Sequence, residues 1–302
     1  MTQTTAPALA LQSIDAWIAN HRTLTIGPFD FATWVHEDTQ NDRPWLLLIH
    51  GFPTSSWDWS ALWGPLSGHF NLAAIDMLGF GLSDKPQNHH YSLIEQADFQ
   101  EALLAELGAS EAHILCHDYG VSVAQELLAR QAERALSFRL QSVCFLNGGI
   151  FPGRHRPRLI QKMALTPFGP LISARLSQQK LRNTFNDIFG PHTQPKTREI
   201  EGHWQMITYN QGTRVFHKTM RYMKDRLTYQ RRWENAVTQT DLPLRLINGG
   251  KDPISGKHLY TYYCENVPRA DAVLLEEIGH YPQTEAPQAV LDAFFAFHGL
   301  AN

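Results

Sequence analysis

Residues 112–125 limit what this chain can fold into more than any other stretch. Ala112-His113-Ile114-Leu115-Cys116 is a short apolar run, and Val121 to Gln125 open a helical pattern. Between them His117-Asp118-Tyr119-Gly120 has room only for a sharp turn. A strand-to-helix turn of this kind holds the residue at its apex exposed above the end of a sheet, as a nucleophile is held. That residue is Asp118. A carboxylate needs no deprotonation, so it can attack a saturated carbon directly and leave an ester on the protein. Attack on a carboxylic ester would give a reactive mixed anhydride, a poorer route. The turn therefore points to epoxides or alkyl halides rather than esters or peptides. Taken alone, Asp118 also suits the N-cap of the helix that follows.

The rest of the chain supplies a frame for that turn. Trp45–Ile49, Leu72–Asp76, Leu140–Leu146, Leu242–Asn248 and Ala272–Leu275 are short apolar runs of the kind found in strands buried on both faces. Residues 23–36 alternate, carry Phe29, Phe31 and Trp34, and suggest an antiparallel edge pair. Helical periodicity covers Ser92–Leu107, closed by Gly108, then 119 to Arg130, and Gln288–His298. Strand–helix alternation predicts an α/β fold, a mostly parallel sheet with helices on both faces. The rhythm breaks between 151 and 238. That interval has helical patterns at 196–210 and 214–227 and no convincing strand. We read 1–150 and 239–302 as the core and 151–238 as a helical cap inserted over the sheet's C-terminal edge.

Open α/β sheets place their sites at the C-terminal ends of strands. Three residues fall there in order: Asp118, Asp252 in Gly249-Gly250-Lys251-Asp252-Pro253, and His280 in Gly279-His280-Tyr281-Pro282. An imidazole at His280 can take a proton from water, while Asp252 fixes its tautomer and stabilises the cation. Each has a plainer reading: Asp252 before Pro253 suits a turn, and His280 is one of fifteen histidines. Their shared order and position after strands carry the argument. His50-Gly51-Phe52-Pro53 follows the first buried run. The backbone N–H groups of Phe52 and Tyr119 are candidates for an oxyanion hole. They would serve the second step, when water attacks the carboxyl carbon of the ester.

Several function classes are disfavoured. A net charge of −3, from 26 basic and 29 acidic side chains, provides no basic field for nucleic acid. Cys116, Cys144 and Cys264 are odd in number and widely spaced, which fits neither a disulfide framework nor a metal site and suits a reducing compartment. Gly79-Phe80-Gly81 lacks the third glycine of a dinucleotide loop. His89-His90 has no accompanying ligands. We expect neither cofactor nor metal. No basic segment followed by an apolar run opens the chain, and no apolar stretch reaches 18 residues. A cytoplasmic protein without a membrane span is expected; a homodimer is left open.

These residues carry a family resemblance. The chain resembles the α/β-hydrolase fold, in its epoxide hydrolase and haloalkane dehalogenase branch. The matching pieces are His50-Gly51-Phe52-Pro53, Asp76-Met77-Leu78-Gly79-Phe80-Gly81-Leu82-Ser83, His117-Asp118-Tyr119-Gly120, Gly249-Gly250-Lys251-Asp252 and Gly279-His280. Asn147-Gly148-Gly149-Ile150-Phe151-Pro152, His155-Arg156-Pro157, Phe189-Gly190-Pro191 and Arg231-Arg232-Trp233 are similar to the mesoderm-specific transcript group. The branch implies a small apolar substrate and an Asp-His-Asp triad. It also implies cap tyrosines that protonate the oxygen of an opening epoxide, for which Tyr222, Tyr209 and Tyr229 are candidates, Tyr222 foremost. Dehalogenases of the branch bind halide with Trp after the nucleophile and Asn after His-Gly; Tyr119 and Phe52 stand there instead. Asn147 stands where some of them carry their acid, which leaves Asp252. Cys116 replaces a glycine common two residues before the nucleophile. The resemblance favours epoxides. A dehalogenase, and a hydrolase-like protein that binds a small ligand with little turnover, are the alternatives.

Overall fold

The computed structural model describes residues 9–154, 156, 166 and 169–301. His155 and Pro157, used above, lie outside the described residues. Eight strands form one sheet in the order β1-β2-β4-β3-β5-β6-β7-β8. They are β1 (Arg22–Ile26), β2 (Phe29–His36), β3 (Trp45–Ile49), β4 (Asn71–Ile75), β5 (Glu111–Asp118), β6 (Arg139–Gly148), β7 (Leu244–Gly249) and β8 (Asp271–Leu275). β1 and β2 pair antiparallel, and β2 joins β4 antiparallel. Every pairing from β4 through β8 is parallel.

The apolar runs do what their pattern requires. Along β3, Leu47 and Ile49 enter one core while Leu46 and Leu48 enter another on the opposite face. In β4, Ala73 and Ile75 alternate in the same way with Leu72 and Ala74. This is the two-residue period of a strand covered on both sides. Helices Leu93–Glu106, Tyr119–Ala132 and Lys257–Asn266 cover the first face through Leu93, Leu127 and Leu259. Helices Ile14–Ala19, Ser60–Ser67 and Pro287–Phe297 cover the second through Trp17, Leu62 and Phe294. Ser92 caps its helix by accepting from the Glu95 amide at 3.2 Å.

Between β6 and β7 the described residues form helices and no strand. Gln178–Ile188 and Thr197–Thr208 are the longest of those before Gln230–Gln239. A third apolar cluster, with Phe185, Ile188 and Ile207, joins them to Ile254 and Tyr281 of the core loops. One expectation fails here. The helix anticipated over 214–227 is two short helices, Phe216–Thr219 and Tyr222–Thr228, preceded by a tight turn at Tyr209–Arg214. Asn210 and Gln211 sit at φ 46° and 60°, outside helical space, and end the preceding helix at Thr208. Thr219 Oγ1 then donates to the Phe216 carbonyl at 2.9 Å, a local bond that competes with the helical ladder.

Candidate active site

β5 runs to Asp118 itself, past the Cys116 end expected from the apolar run, and a register shift against β6 separates Cys116 from Asp118. Asp118 has φ 44° and ψ −101°, backbone geometry that a side-chain-bearing residue holds only when its surroundings impose it. Gly120 helps impose it. A Cβ there would stand 2.4 Å from the Ile49 carbonyl oxygen, so only glycine lets the new helix pass so close to β3.

The two carboxylate oxygens of Asp118 are differentiated. Oδ2 accepts from the backbone N–H of Phe52 at 3.1 Å. Oδ1 faces Nε2 of His280 at 3.9 Å and Nη2 of Arg226 at 3.7 Å. The residue is 4% exposed.

His280 is held from several sides. Its Nδ1 donates to Asp252 Oδ2 at 2.7 Å, and its backbone N–H donates to the Ile188 carbonyl at 2.8 Å. His117 Nε2 donates to the His280 carbonyl at 2.7 Å. Asp252 is satisfied elsewhere too, by the amides of Ile254 and Ser255, the Ser255 hydroxyl and Asn147 Nδ2. Burial pushes the Asp252 carboxyl up, but His280, Ser255 and the Ile254 amide outweigh it and hold the group far below the usual carboxylate range. For His280, burial disfavours the cation, yet Asp252, Asp118 and Glu285 raise its pKa to about 9. The resting ring therefore carries a proton at neutral pH, whereas a base must be neutral. His117 is the reverse case: burial and the nearby His280 charge lower it to about 3.

Asp118 and His280 open onto an apolar cavity walled by Phe52, Phe185, Ile188, Trp204, Met220 and Ile254. None of the three tyrosines expected to reach it is among its lining residues. Tyr209 is 49% exposed where the chain turns after Thr208, with Lys85 Nζ 5.2 Å above its ring. Tyr229 packs on Trp233 at 5.4 Å and lines a separate groove with Glu133 and Arg232. Tyr222 is fully buried against the site's own residues, its ring 5.0 Å from that of Tyr119 and 5.8 Å from that of Phe52.

Two groups escaped the sequence reading. Arg226 lies one helical turn after Tyr222, its guanidinium 4.5 Å from the tyrosine ring centre. That i, i+4 spacing was a usable signal. Asp58 and His203 form a second buried acid–imidazole pair, Oδ1 to Nδ1 3.9 Å. Burial raises Asp58 well above its ordinary range and lowers His203 to about 3. Nothing in their local sequence marks them. Among the described residues no cluster of His, Cys, Asp and Glu is arranged to hold a metal ion, and no helix is long and apolar enough to cross a membrane.

A strand-borne elbow, a histidine after the last strand and its carboxylate partner after the preceding one define a class. The chain belongs to the α/β hydrolase family, whose profile matches residues 46–293, and within it to the group of the mesoderm-specific transcript proteins. It is 40% identical to the mesoderm-specific transcript homolog protein of Bos taurus, over 83% of this chain and 78% of that protein. It is 37% identical to the putative hydrolase LipZ of Mycobacterium tuberculosis, over 83% of this chain and 87% of that one. Solved structures show the same fold at low identity. Haloalkane dehalogenase DbeA from Bradyrhizobium elkani has a TM-score of 0.76 at 19% identity, covering 92% of this chain and 97% of its own. Epoxide hydrolase CorEH has a TM-score of 0.74, also at 19%, covering 92% and 98%.

Proposed function

We propose that this protein is a hydrolase that opens small apolar epoxides through an ester on Asp118, with residues 151–238 acting as the cap over the site. The observation that carries the reading is the differentiated carboxylate. Phe52 N–H holds Oδ2, while Oδ1 lies beside His280, with the residue lining an apolar cavity. In the first step Oδ1 attacks an epoxide carbon, the C–O bond of the ring breaks, and the released alkoxide takes the phenolic proton of Tyr222. The proton then held by His280 returns to the Tyr222 phenolate. This leaves a neutral imidazole beside a neutral ester. Loss of the Asp118 charge removes one of the influences that raise His280, so the ring becomes a base only when one is needed.

In the second step His280 takes a proton from water as the oxygen attacks Cγ of the ester. The developing oxyanion lies where Oδ2 lay, against the Phe52 amide and that of Tyr119. The Cγ–Oδ1 bond breaks, the departing alkoxide takes the remaining proton of the hydroxyl added at Cγ, and the diol leaves with the Asp118 oxygen. Asp118 returns ionised and His280 protonated. Asp252 holds the imidazole throughout.

A His280→Gln variant incubated with a panel of epoxides tests this directly. Intact mass should rise by the mass of the epoxide, with the adduct mapped to Asp118. No adduct across the panel would favour a ligand-binding protein with little turnover. Bromide release from brominated alkanes would favour a dehalogenase. Against that reading, neither Phe52 nor Tyr119 presents the side-chain N–H donors that hold a departing halide in that branch.

A further inference from the structure

We propose that Arg226 is a positioning residue for Asp118: a cap-borne cation that keeps the attacking carboxylate ionised and its Oδ1 aimed, and that favours release of the His280 proton once the ester has formed. The proposal rests on the reading of Asp118 as nucleophile and extends it to a residue of the insertion.

The geometry is specific. Arg226 is 2% exposed. Its Nη2 donates to the main-chain carbonyl of Asp118 at 2.9 Å and lies 3.7 Å from Oδ1. Its Nε donates to Ser122 Oγ at 2.7 Å, on the first turn of the helix behind the elbow. The guanidinium thus grips the strained residue from both its ends. Gly149 makes room for it, since a Cβ there would fall 2.7 Å from Nη1. Nη1 is buried without a hydrogen-bond partner among the described residues. An arginine kept only to satisfy carbonyls would not leave a donor dry in the interior. A buried cation demands a nearby anion, and Asp118 is the carboxylate this one pairs with among the described residues.

Charge accounting gives the consequence. At rest, Asp118 with Arg226 and Asp252 with His280 make two neutral pairs. Alkylation of Oδ1 removes one negative charge and leaves the arginine unbalanced near the imidazole. The cation that first held Asp118 ionised then disfavours a second cation at His280. Other ionisable groups act on the same carboxylate. His117 precedes it on β5, the buried Asp58 and Tyr281 interact with it electrostatically, and Tyr222 packs beside Arg226. None of these is a fixed cation.

The test uses the full chain labelled with [4-13C]aspartate, with the Asp118 carboxyl assigned by loss of its signal in Asp118→Asn. Without any substrate, the titration midpoint of that carboxyl should rise by about one to three pH units in Arg226→Met, the shift typical of an aspartate beside arginine. In Arg226→Lys it should rise by less than half as much. Should Arg226→Met fail to fold, Arg226→Gln keeps a donor for the Asp118 carbonyl without the charge and carries the same expectation. An unchanged midpoint in a folded neutral variant would overturn the proposal. In the His280→Gln background the acid limb of adduct formation should move to higher pH by the same interval. If the midpoint moves but no epoxide ever gives an adduct, the electrostatic role stands and the hydrolase reading falls. If adducts form and the midpoint stays, the reverse holds.

Discussion

Single atoms decide whether this site works. Tyr222→Phe keeps the ring that packs on Tyr119 and Phe52 and removes the phenolic proton. On the proposed mechanism, epoxide turnover should fall by about 10²–10³, within the range for loss of a general acid. Tyr209→Phe and Tyr229→Phe should leave turnover within about twofold; a larger loss in either would displace Tyr222 from the role proposed for it. Gly120→Ala tests the elbow. Its methyl would meet the Ile49 carbonyl at 2.4 Å, so denaturant unfolding should report a loss of about 1–3 kcal/mol. At this level much was legible. Asp118, Asp252 and His280 are chemically distinctive, and each follows an apolar run. The phenols were not, because whether a tyrosine points inward depends on where a short helix ends, and periodicity does not fix that.

The segments that carry these residues differ in how firmly they are anchored. Helix Gln230–Gln239 is fastened to helix Tyr119–Ala132 by Glu126. That carboxylate is 2% exposed and accepts from Arg130, Arg232 and Trp233 Nε1. Glu126→Ala leaves those donors without their acceptor, and we expect it to destabilise the fold by about 2–4 kcal/mol. Glu133→Ala, which breaks only the exposed side of the Arg232 link, should cost under about 1 kcal/mol. Chemical denaturation of the two variants checks the contrast; equal losses would deny the buried network its role. The strands of the sheet were legible because a run buried on both faces leaves a continuous apolar trace. The break at 210–221 was not, because it rests on two residues in left-handed backbone space and one threonine hydroxyl. All three are compatible with a helical pattern.

The molecule as a whole holds several imidazoles neutral, and this sets its response to acid. His117 and His203 are lowered to about 3, chiefly by burial, against about 6.5 in an unfolded chain. Their contribution to stability is intact above pH 6.5 and is lost as pH falls from there towards about 3. Each contributes a slope of about 1.4 kcal/mol per pH unit in that window. His280, raised to about 9, acts at the other end: its contribution is present below pH 6.5 and disappears as pH rises through about 9. Asp58, raised by burial, opposes the two rings on the acid side. Unfolding free energies for His203→Gln near pH 5 should therefore vary less steeply with pH, by about 1.4 kcal/mol per unit. An identical slope would mean that this ring is not buried neutral. One backbone bond has a further consequence. Because the His280 amide is tied to Ile188, swinging helix Gln178–Ile188 aside to admit a guest would drag the imidazole off its mark. Traffic is then better routed past the jointed stretch at 209–221, where amide exchange should be fastest, and lineages can remodel that doorway for new guests while the machinery behind it stays in tune.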